Sequence, residues 1–390
     1  MFSPKGRIGL MFLKHYACCS DQKLIEQLNS NLDYQFFCDI SLGFERLTNY
    51  KIVSQIRCEL SDSLDIDSLE KVLFNKWSPF MNQTNQATVD ATCYESELRY
   101  PTVQKLLWEA VSWLYNQLRK TCKALGVKMV RSRYNKWKKR YHGYSKMRRK
   151  TNKKRVPLTR SLLLLLKKFI DFEKQLLTRN NLTFTPRYYK RVATIKKIYQ
   201  QQDAYFKTGN KIKDRIVSIA KDYIRPIVRG KEVKPVEFGA KVNKLQIDGI
   251  NFIEHLDFNA FNEGTRLKAT VYKTQSLTKK KLKVLGGDAI YATNKNRKFV
   301  TRHGIKTDFK RKGKMPKGYQ DEKLLKALIT KERATRLEGS FGKEKEHYLL
   351  RKIKAKTKKN EILWIFFGIH TANALEIGRR MQAALAKKSA

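Results

Sequence analysis

The feature that most constrains this chain is its charge. Its 83 Lys and Arg residues stand against 35 Asp and Glu, which leaves a net charge of +48 over 390 residues. A compact fold with that charge repels itself, so it needs a polyanionic partner. The hydrophobic fraction of 41% is nevertheless large enough for a buried core, which excludes disorder throughout. The composition predicts a folded, nucleic-acid-binding protein with one large domain and an insertion, or with two to three domains.

The cysteines and the apolar runs argue against several other classes. The six cysteines show no CxxC pair and no histidine at zinc-finger spacing, so we expect reduced, mostly buried thiols. Lys5, Arg7 and Lys14 interrupt the first apolar stretch, which argues against a cleavable signal peptide. The apolar run at residues 162–166 is too short to cross a bilayer. We therefore expect a soluble, intracellular protein that does not bind membranes.

Hydrophobic periodicity predicts an alternation of helical and strand-like regions. Ser20 is the expected N-cap of an early helix, and Pro79 is the expected stop of a later one. The pattern predicts helices at 6–50, 52–80, 103–223, 321–354 and 361–385, strands at 87–94, 236–242, 245–247, 251–255 and 281–285, and a basic, glycine-containing loop at 310–318.

The strongest nucleic-acid-binding segment covers residues 131–155, where Lys and Arg crowd together. Four aromatic residues, Tyr134, Trp137, Tyr141 and Tyr144, are interleaved with them. These rings either pack against the other helices of the region or stack on unpaired bases, and the sequence leaves both readings open. The cations that we expect to contact nucleic acid are Arg131, Arg133, Lys136, Lys138, Lys139, Arg140, Arg148 and Arg149.

Three acidic residues fit chemistry on phosphodiesters. Asp90 interrupts a β-like stretch and Asp288 ends a later strand, while Glu338 lies on a following helix. Two acids at strands and a third on a returning helix are what two-metal phosphoryl transfer requires, and carboxylate oxygens suit Mg²⁺. Lys345 follows Glu338 by seven positions and shares its helix face. An ordinary solvated charge pair explains the helical part of this pattern as well.

Three blocks of the chain resemble the bacterial insertion-sequence transposases with a DDE catalytic triad. The blocks are SPKGRIGLMFLKHYACCSDQKLIEQLNSNLDYQFFCDI, TVDATCYESELRYPTVQKLLWEA around Asp90, and LGGDAIYATNKNR followed by RLEGSFGKEKEHYLLRKIKAKTKKNEILWIFFGIHTANAL. The resemblance covers nearly the whole chain. It implies an α/β fold with a ribonuclease-H-like mixed sheet flanked by helices, a helical N-terminal domain and a large basic helical insertion after the first core strand.

The resemblance also implies roles for the three acids. Asp90, Asp288 and Glu338 would be the catalytic metal ligands for Mg²⁺, with Mn²⁺ as a substitute and two ions per site. Lys345 matches the lysine of the family's Y-R-E-K signature and would contact DNA.

The chain departs from that signature at two positions. An arginine is expected where Ala334 stands, and a tyrosine where Lys331 stands. Either Arg333 or Arg336 would supply the missing guanidinium and contact DNA. After the second acid, Asn296 and Arg297 either touch a DNA backbone or begin a solvent-facing helix, and both readings stay open.

The implied organisation is a helical DNA-binding and assembly domain at residues 1–82 and a catalytic domain at 83–390, interrupted by the insertion at about 103–226. The implied activity is binding of terminal inverted repeats, Mg²⁺-dependent strand cleavage, and strand transfer by 3′-hydroxyl attack on target DNA. The partners would be double-stranded transposon ends and target DNA, bound by a dimer in the bacterial cytoplasm at the nucleoid. The alternatives are a non-catalytic nucleic-acid-binding protein and a nuclease of the same fold that does not join strands.

Overall fold

The computed structural model describes residues 2–228, 235–313 and 320–389. The chain divides into two compact units. The sheet unit comprises Met1–Glu97 and Ile227–Ala390, and the helical unit comprises Leu98–Pro226. Part of the basic loop expected at residues 310–318, namely 314–318, lies outside the described residues.

The described helices and strands alternate along the chain, so the protein is a mixed α/β protein as expected. In chain order the helices are α1 (Pro4–Ala17), α2 (Asp21–Ser30), α3 (Leu32–Phe37), α4 (Lys51–Ser63), α5 (Ile66–Trp77), α6 (Val103–Leu125), α7 (Tyr134–Lys146), α8 (Asn152–Asn180), α9 (Pro186–Thr208), α10 (Leu267–Thr278), α11 (Asn294–Arg302), α12 (Gln320–Glu332), α13 (Glu338–His347) and α14 (Lys358–Ser389). The strands are β1 (Gln86–Glu95), β2 (Pro226–Val228), β3 (Val236–Ile247), β4 (Ile250–Asp257), β5 (Val284–Gly287) and β6 (Lys306–Thr307).

The N-terminal helices begin and end largely where local chemistry predicts. Ser20 caps α2, since its side chain accepts a hydrogen bond from the Lys23 amide at 3.1 Å. Helix α5 ends at Trp77, ahead of Pro79. The expectation of helix up to residue 50 was wrong, because α3 ends at Phe37. Asp39, two residues after the end of α3, takes a positive φ of 50°, a conformation that cannot continue a right-handed helix.

Three other expectations need correction. Strand β3 is one continuous strand where two were expected, because the polar residues between them, including Asn243 and Lys244, are buried and paired. Helix α10 was missed. Its buried face combines Leu267 and Val271 with threonines at helical spacing, and threonine favours strands. The helix expected at residues 321–354 ends at His347, and Ile353 donates instead to the Glu95 carbonyl at 2.7 Å.

The sheet is mixed, and β1 lies inside it. The strand order is β2-β3-β1-β5-β6, with β4 also paired to β3. Strands β1, β3 and β4 are antiparallel neighbours, whereas β5 runs parallel to β1, and β6 runs parallel to β5. Because β1 and β5 are parallel, a crossover connection must join them. That connection includes the whole helical unit, which lies in the chain between β1 and β3. The expected mixed sheet with a helical insertion after its first strand is therefore present.

The first helices pack in the sheet unit against α14. Phe12 of α1 meets Phe367 edge to face at 5.1 Å between ring centroids, and His15 meets Trp364 at 5.3 Å. Buried Glu70 of α5 accepts a hydrogen bond from the Ile253 amide of β4. The C-terminal aromatics Trp364, Phe366 and Phe367 are thus core residues. The boundary expected at residue 82 stays a prediction.

The helical unit has its own core, which consists mainly of leucines from α6 and α8 together with isoleucines from α9. Tyr134 stacks on Tyr115 at 3.7 Å between centroids, and Tyr141 stacks on Trp108 at 5.1 Å. Tyr144 is buried. The aromatic rings of the basic segment therefore pack within the helical unit, which decides between the two readings left open by the sequence.

The thiols agree only in part with the expectation of reduced, mostly buried side chains. All six cysteines are thiols outside disulfide bonds, but only Cys38, Cys93 and Cys122 are buried, while Cys18 and Cys58 are exposed. Among the described residues, no helix has the length and apolar composition needed to cross a membrane.

The first testable prediction concerns His15, whose ring nitrogen Nδ1 lies 3.0 Å from the Tyr348 carbonyl. Burial lowers the pKa of this histidine from 6.5 to about 3, so the ring stays neutral in the folded chain. Its contribution to stability is complete above pH 6.5 and is lost as the pH falls towards 3. We expect the free energy of unfolding of the wild type, relative to His15→Gln, to fall by roughly 2 kcal/mol between about pH 6.5 and pH 5. Urea unfolding of both proteins measures their free energies of unfolding. A difference between the two free energies that does not change with pH would contradict the prediction.

Candidate active site

Asp90 and Asp288 lie side by side because β1 and β5 pair in parallel. Val89 is the register partner of Gly287, so each acid follows a paired residue by one position. Neighbouring strands are about 4.8 Å apart, and facing residues project to the same side of the sheet. Asp90 is largely buried with 17% of its side chain exposed, whereas Asp288 is exposed and caps the short turn Ala289–Tyr291. The structure therefore brings the two strand acids together.

The glycine pair before Asp288 allows α12 to approach β5. A Cβ atom on Gly286 would come within 2.6 Å of Cγ2 of Ile329, so a larger residue would push α12 away. Helix α12 leads directly into a π-helical turn, Arg333–Leu337, and then into α13. Gly286 thus permits the close packing that places this turn at the sheet.

The π-helical geometry directs the side chain of Arg333 towards Glu338. The Glu338 amide donates to the Arg333 carbonyl across five residues, which is the π-helical pattern. In a regular α-helix, residues five apart point roughly 140° away from each other. Here the Nη1 atom of Arg333 lies 2.7 Å from Oε1 of Glu338. The pair therefore depends on the extra residue that the π-helical turn accommodates.

The same guanidinium joins Glu338 to two aspartates. Nη1 of Arg333 lies 3.5 Å from Oδ2 of Asp90, and its Nε lies 4.0 Å from Oδ2 of Asp308. Asp90 and Glu338 contact the same nitrogen atom, so their oxygens cannot be farther apart than those two distances together. Arg333 thus contacts Asp90, Asp308 and Glu338, while Asp288 lies beside Asp90 on the paired strand.

Sequence reasoning missed Asp308. Its Oδ1 accepts a hydrogen bond from the Gly287 amide at 3.0 Å, which ties it to the end of β5 directly before Asp288. Asp308 follows β6 as Asp288 follows β5, so both acids stand at the end of a strand. The signal was hidden because β6 is only two residues long.

Burial governs the charges of the two less exposed aspartates. It raises the pKa of Asp90 to about 6, although the Ala91 amide and Arg333 act in the opposite direction. Burial also raises the pKa of Asp308, against the effects of the Gly287 amide and Arg333. The charge of Asp288 contributes to both increases, which places it close to both carboxylates.

The donor set suits a hard divalent cation, because its members are carboxylates with no histidine or cysteine among them. As the side chains stand, however, no three His, Cys, Asp or Glu residues of the described chain are close enough together to hold a metal ion. The carboxylate of Glu338 is turned onto Arg333 and accepts a hydrogen bond from it at 2.7 Å. With 48% of its side chain exposed, Glu338 can change rotamer at little cost. The chemistry of the donor set therefore suits a divalent cation, whereas the present positions of the side chains do not form its site.

Two other cations expected near the triad have different surroundings. Nζ of Lys345 donates to Oγ1 of Thr92 at 3.0 Å, two residues along β1 from Asp90 and on the same face. Arg336 points elsewhere, since its Nη1 pairs with Glu332 at 2.8 Å. Of the two candidates for the missing guanidinium, only Arg333 lies at the carboxylates.

The remaining predicted contacts fall into two groups. Asn296 is buried and donates to the carbonyls of Gly264 and Tyr291, so neither expectation for it was right. Arg297 is half-buried, donates to the Ala292 carbonyl at 3.0 Å and lies over a phenylalanine ring. The predicted cations of the basic segment are all exposed: Arg131, Arg133, Lys136, Lys138, Lys139, Arg140, Arg148 and Arg149.

The chain is thus a mixed α/β protein with acids from two parallel strands and a neighbouring helix at one site. Residues 285–367 match the family model of the transposase DDE domain. This match supports the resemblance to the DDE transposases found in the sequence. The match includes Asp288, Asp308 and Glu338 but not Asp90. Comparison with curated proteins and with solved structures gave no match.

The second testable prediction concerns Arg333. Its removal leaves Asp90 and Asp308 without their counter-charge in a poorly solvated place, so Arg333→Leu should lower the free energy of unfolding by roughly 1–3 kcal/mol. The matched control is Arg336→Leu, which removes a more exposed guanidinium three residues later and should cost less than about 0.5 kcal/mol. Urea unfolding in EDTA measures both variants. Equal losses would show that Arg333 does not neutralise the carboxylates.

Proposed function

We propose that the protein is a transposase that binds the terminal inverted repeats of an insertion sequence. In this proposal it cleaves DNA strands in a divalent-metal-dependent reaction and joins them by 3′-hydroxyl attack on target DNA. The observation that carries the proposal is that Arg333 contacts both Asp90 and Glu338, with Asp288 beside Asp90 on the paired strand, in a chain whose residues 285–367 match the transposase DDE domain.

The three acids have distinct parts in the proposed reaction. Asp90 and Asp288 are placed by paired strands and would form the rigid side of a Mg²⁺ or Mn²⁺ site for two ions, and Glu338 would close it from the helix. Bound Mg²⁺ would activate the attacking water or 3′-hydroxyl and stabilise the leaving oxygen. Asp308 would keep the end of β5 in place through its bond to the Gly287 amide.

Arg333 would take the place of the arginine that the family signature puts at Ala334. The π-helical turn contains one more residue than an α-helical turn, so the residue five before Glu338 lies where the residue four before it would otherwise lie. The arginine of this chain thus stands one position earlier in sequence than the arginine of the signature. Lys345, half-buried beside Thr92, would be the matching lysine.

The tyrosines near the acids favour direct hydroxyl attack over a covalent protein intermediate. The Tyr94 hydroxyl donates to Glu344, and the Tyr291 hydroxyl donates to Asn243. Both rings are fully buried, and burial raises the pKa of each phenol well above its ordinary value. A tyrosine that is buried, protonated and already bonded cannot attack a phosphodiester.

Double-stranded DNA is the proposed partner, both as transposon ends and as target. The helical unit contains 35 Lys and Arg against six Asp and Glu, so most of the net positive charge lies there. The expected cations of its basic segment are exposed, and no described acidic side chain forms an ion pair with them. Such a surface attracts phosphates independently of base sequence.

The finer parts of the proposal rest on the family resemblance. They are a ribonuclease-H-like core, a DNA-binding and assembly role for residues 1–82, a dimer in the DNA complex, and a place at the nucleoid in the bacterial cytoplasm. The mixed sheet with its helical insertion after β1 supports the first of these.

The third testable prediction concerns the acids. Asp90→Asn, Asp288→Asn and Glu338→Gln should each reduce Mg²⁺-dependent cleavage of labelled terminal-repeat DNA, and strand transfer, by roughly 100-fold or more. DNA affinity should be retained, because cations bind the phosphates. The control is Asp33→Asn, an exposed acid on α3. Full activity of the three variants would show that these acids are not catalytic, DNA binding without any cleavage by the wild type would favour the non-catalytic binder, and cleavage without joining by the wild type would favour the nuclease.

The fourth testable prediction concerns the basic segment. Lys138→Gln/Lys139→Gln should weaken binding to DNA of any sequence, and should reduce the slope of log affinity against log salt by about one for each lysine that contacts a phosphate. The control, Lys387→Gln/Lys388→Gln, changes another exposed lysine pair near the end of α14. Fluorescence anisotropy over a salt series measures the slope for both double variants. A slope for Lys138→Gln/Lys139→Gln identical to that of the control would contradict the assignment of DNA binding to α7.

A further inference from the structure

A buried ion pair lies beneath the candidate active site. Nζ of Lys244 on β3 is 2.6 Å from Oε1 of Glu344 on α13, and both side chains have 0% exposure. Removing two charges from water costs free energy, and apolar residues of similar size would stabilise such a core equally well. Stability alone therefore does not explain why a charged pair stands here.

The pair is part of a network that attaches α13 to the sheet. Glu344 also accepts hydrogen bonds from Tyr94 on β1 and from Asn251 on β4, the latter at 3.1 Å. Lys244 donates a second bond to Ser340 on α13 at 2.8 Å. One helix is thus held at two places, one turn apart, by side chains from three adjacent strands.

The network is directly connected to the acids of the proposed site. Lys244 is the register partner of Asp90 across the β1–β3 ladder, and its ammonium lies on the same face of the sheet. Glu338 is the first residue of α13, six positions before Glu344. Glu338 is itself exposed and is held by Arg333. Lys244 and Glu344 therefore link the sheet around Asp90 to the helix that begins at Glu338.

We propose that Lys244 and Glu344 are positioning residues that hold Glu338 at the separation from Asp90 at which both can bind one divalent cation. This proposal rests on the proposed function, since it assumes that these acids bind a metal ion. Neither Lys244 nor Glu344 touches the reacting groups in this arrangement. Their effect is transmitted through the placement of α13.

The test compares two buried glutamates in the full-length protein. Glu344→Gln keeps the shape of the side chain but removes the charge that Lys244 needs, so α13 should lose its fixed distance from β1. The matched control is Glu70→Gln. Glu70 is also fully buried and pairs with Lys273 at 2.8 Å and with His370 at 3.1 Å, and none of its described hydrogen bonds or ion pairs reaches α13 or β1.

The readout is Mn²⁺ affinity, measured by titration with detection of free Mn²⁺ by electron paramagnetic resonance, together with the melting temperature. We expect both variants to melt at lower temperature, but only Glu344→Gln to bind Mn²⁺ more weakly, by roughly 10- to 100-fold. Tyr94→Phe removes one bond to Glu344 without leaving a buried charge, and it should weaken binding in the same direction but less. This variant keeps the test valid if Glu344→Gln does not fold.

Three outcomes overturn the proposal in distinguishable ways. If folded Glu344→Gln binds Mn²⁺ as tightly as the wild type, the pair does not position Glu338. Where Glu344→Gln does not fold, wild-type affinity in Tyr94→Phe leads to the same conclusion. Equal weakening in Glu70→Gln shows a general loosening of the unit. If Asp90→Asn binds Mn²⁺ as the wild type does, the proposed function itself fails and the positioning role fails with it.

Discussion

The burial of Asp90 in the middle of β1 is the constraint on which the rest of the site depends. A carboxylate that is largely removed from water is costly unless cations and amide groups face it. Here the Ala91 amide and the guanidinium of Arg333 do so, and Lys244 occupies the paired position on β3. Burial nevertheless dominates and raises the pKa of Asp90 to about 6. A strand designed only for stability would have an apolar or hydroxyl residue at this position.

The acids of the site differ in how firmly they are held. Asp90 and Asp288 follow paired residues of adjacent parallel strands, and Asp308 is tied to the end of β5 by a backbone amide. Glu338, by contrast, is exposed and contacts only Arg333 among the described hydrogen bonds and ion pairs. Strands therefore determine one side of the site, and the position of α13 determines the other. This division is what gives the Lys244–Glu344 pair its proposed importance.

Sequence patterns revealed the parts of the site that depend on local order. An acid inside a β-like stretch marked Asp90, a strand ending in Gly-Gly-Asp marked Asp288, and the segment around Glu338 was correctly expected to be helical. The parts that escaped prediction depend on contacts between distant segments. Asp308 belongs to a strand too short to show a pattern, and Lys244 and Glu344 read as ordinary charges because nothing local indicates that both are buried. The π-helical turn escaped as well, since the contacts of Arg333 include Asp90 on a strand that is distant in sequence.

The displaced arginine shows how a departure in sequence can be absorbed by the backbone. Counting along an α-helix from Glu338 leads to Ala334, whose side chain has no charge, and that count would suggest a damaged site. The chain instead widens one turn, so that Arg333 reaches both Glu338 and Asp90 from five residues away. A π-helical turn is less stable than an α-helical one and persists where contacts compensate for it. The ion pairs of Arg333 are such contacts, and the same side chain therefore maintains both the local backbone and the grouping of the acids.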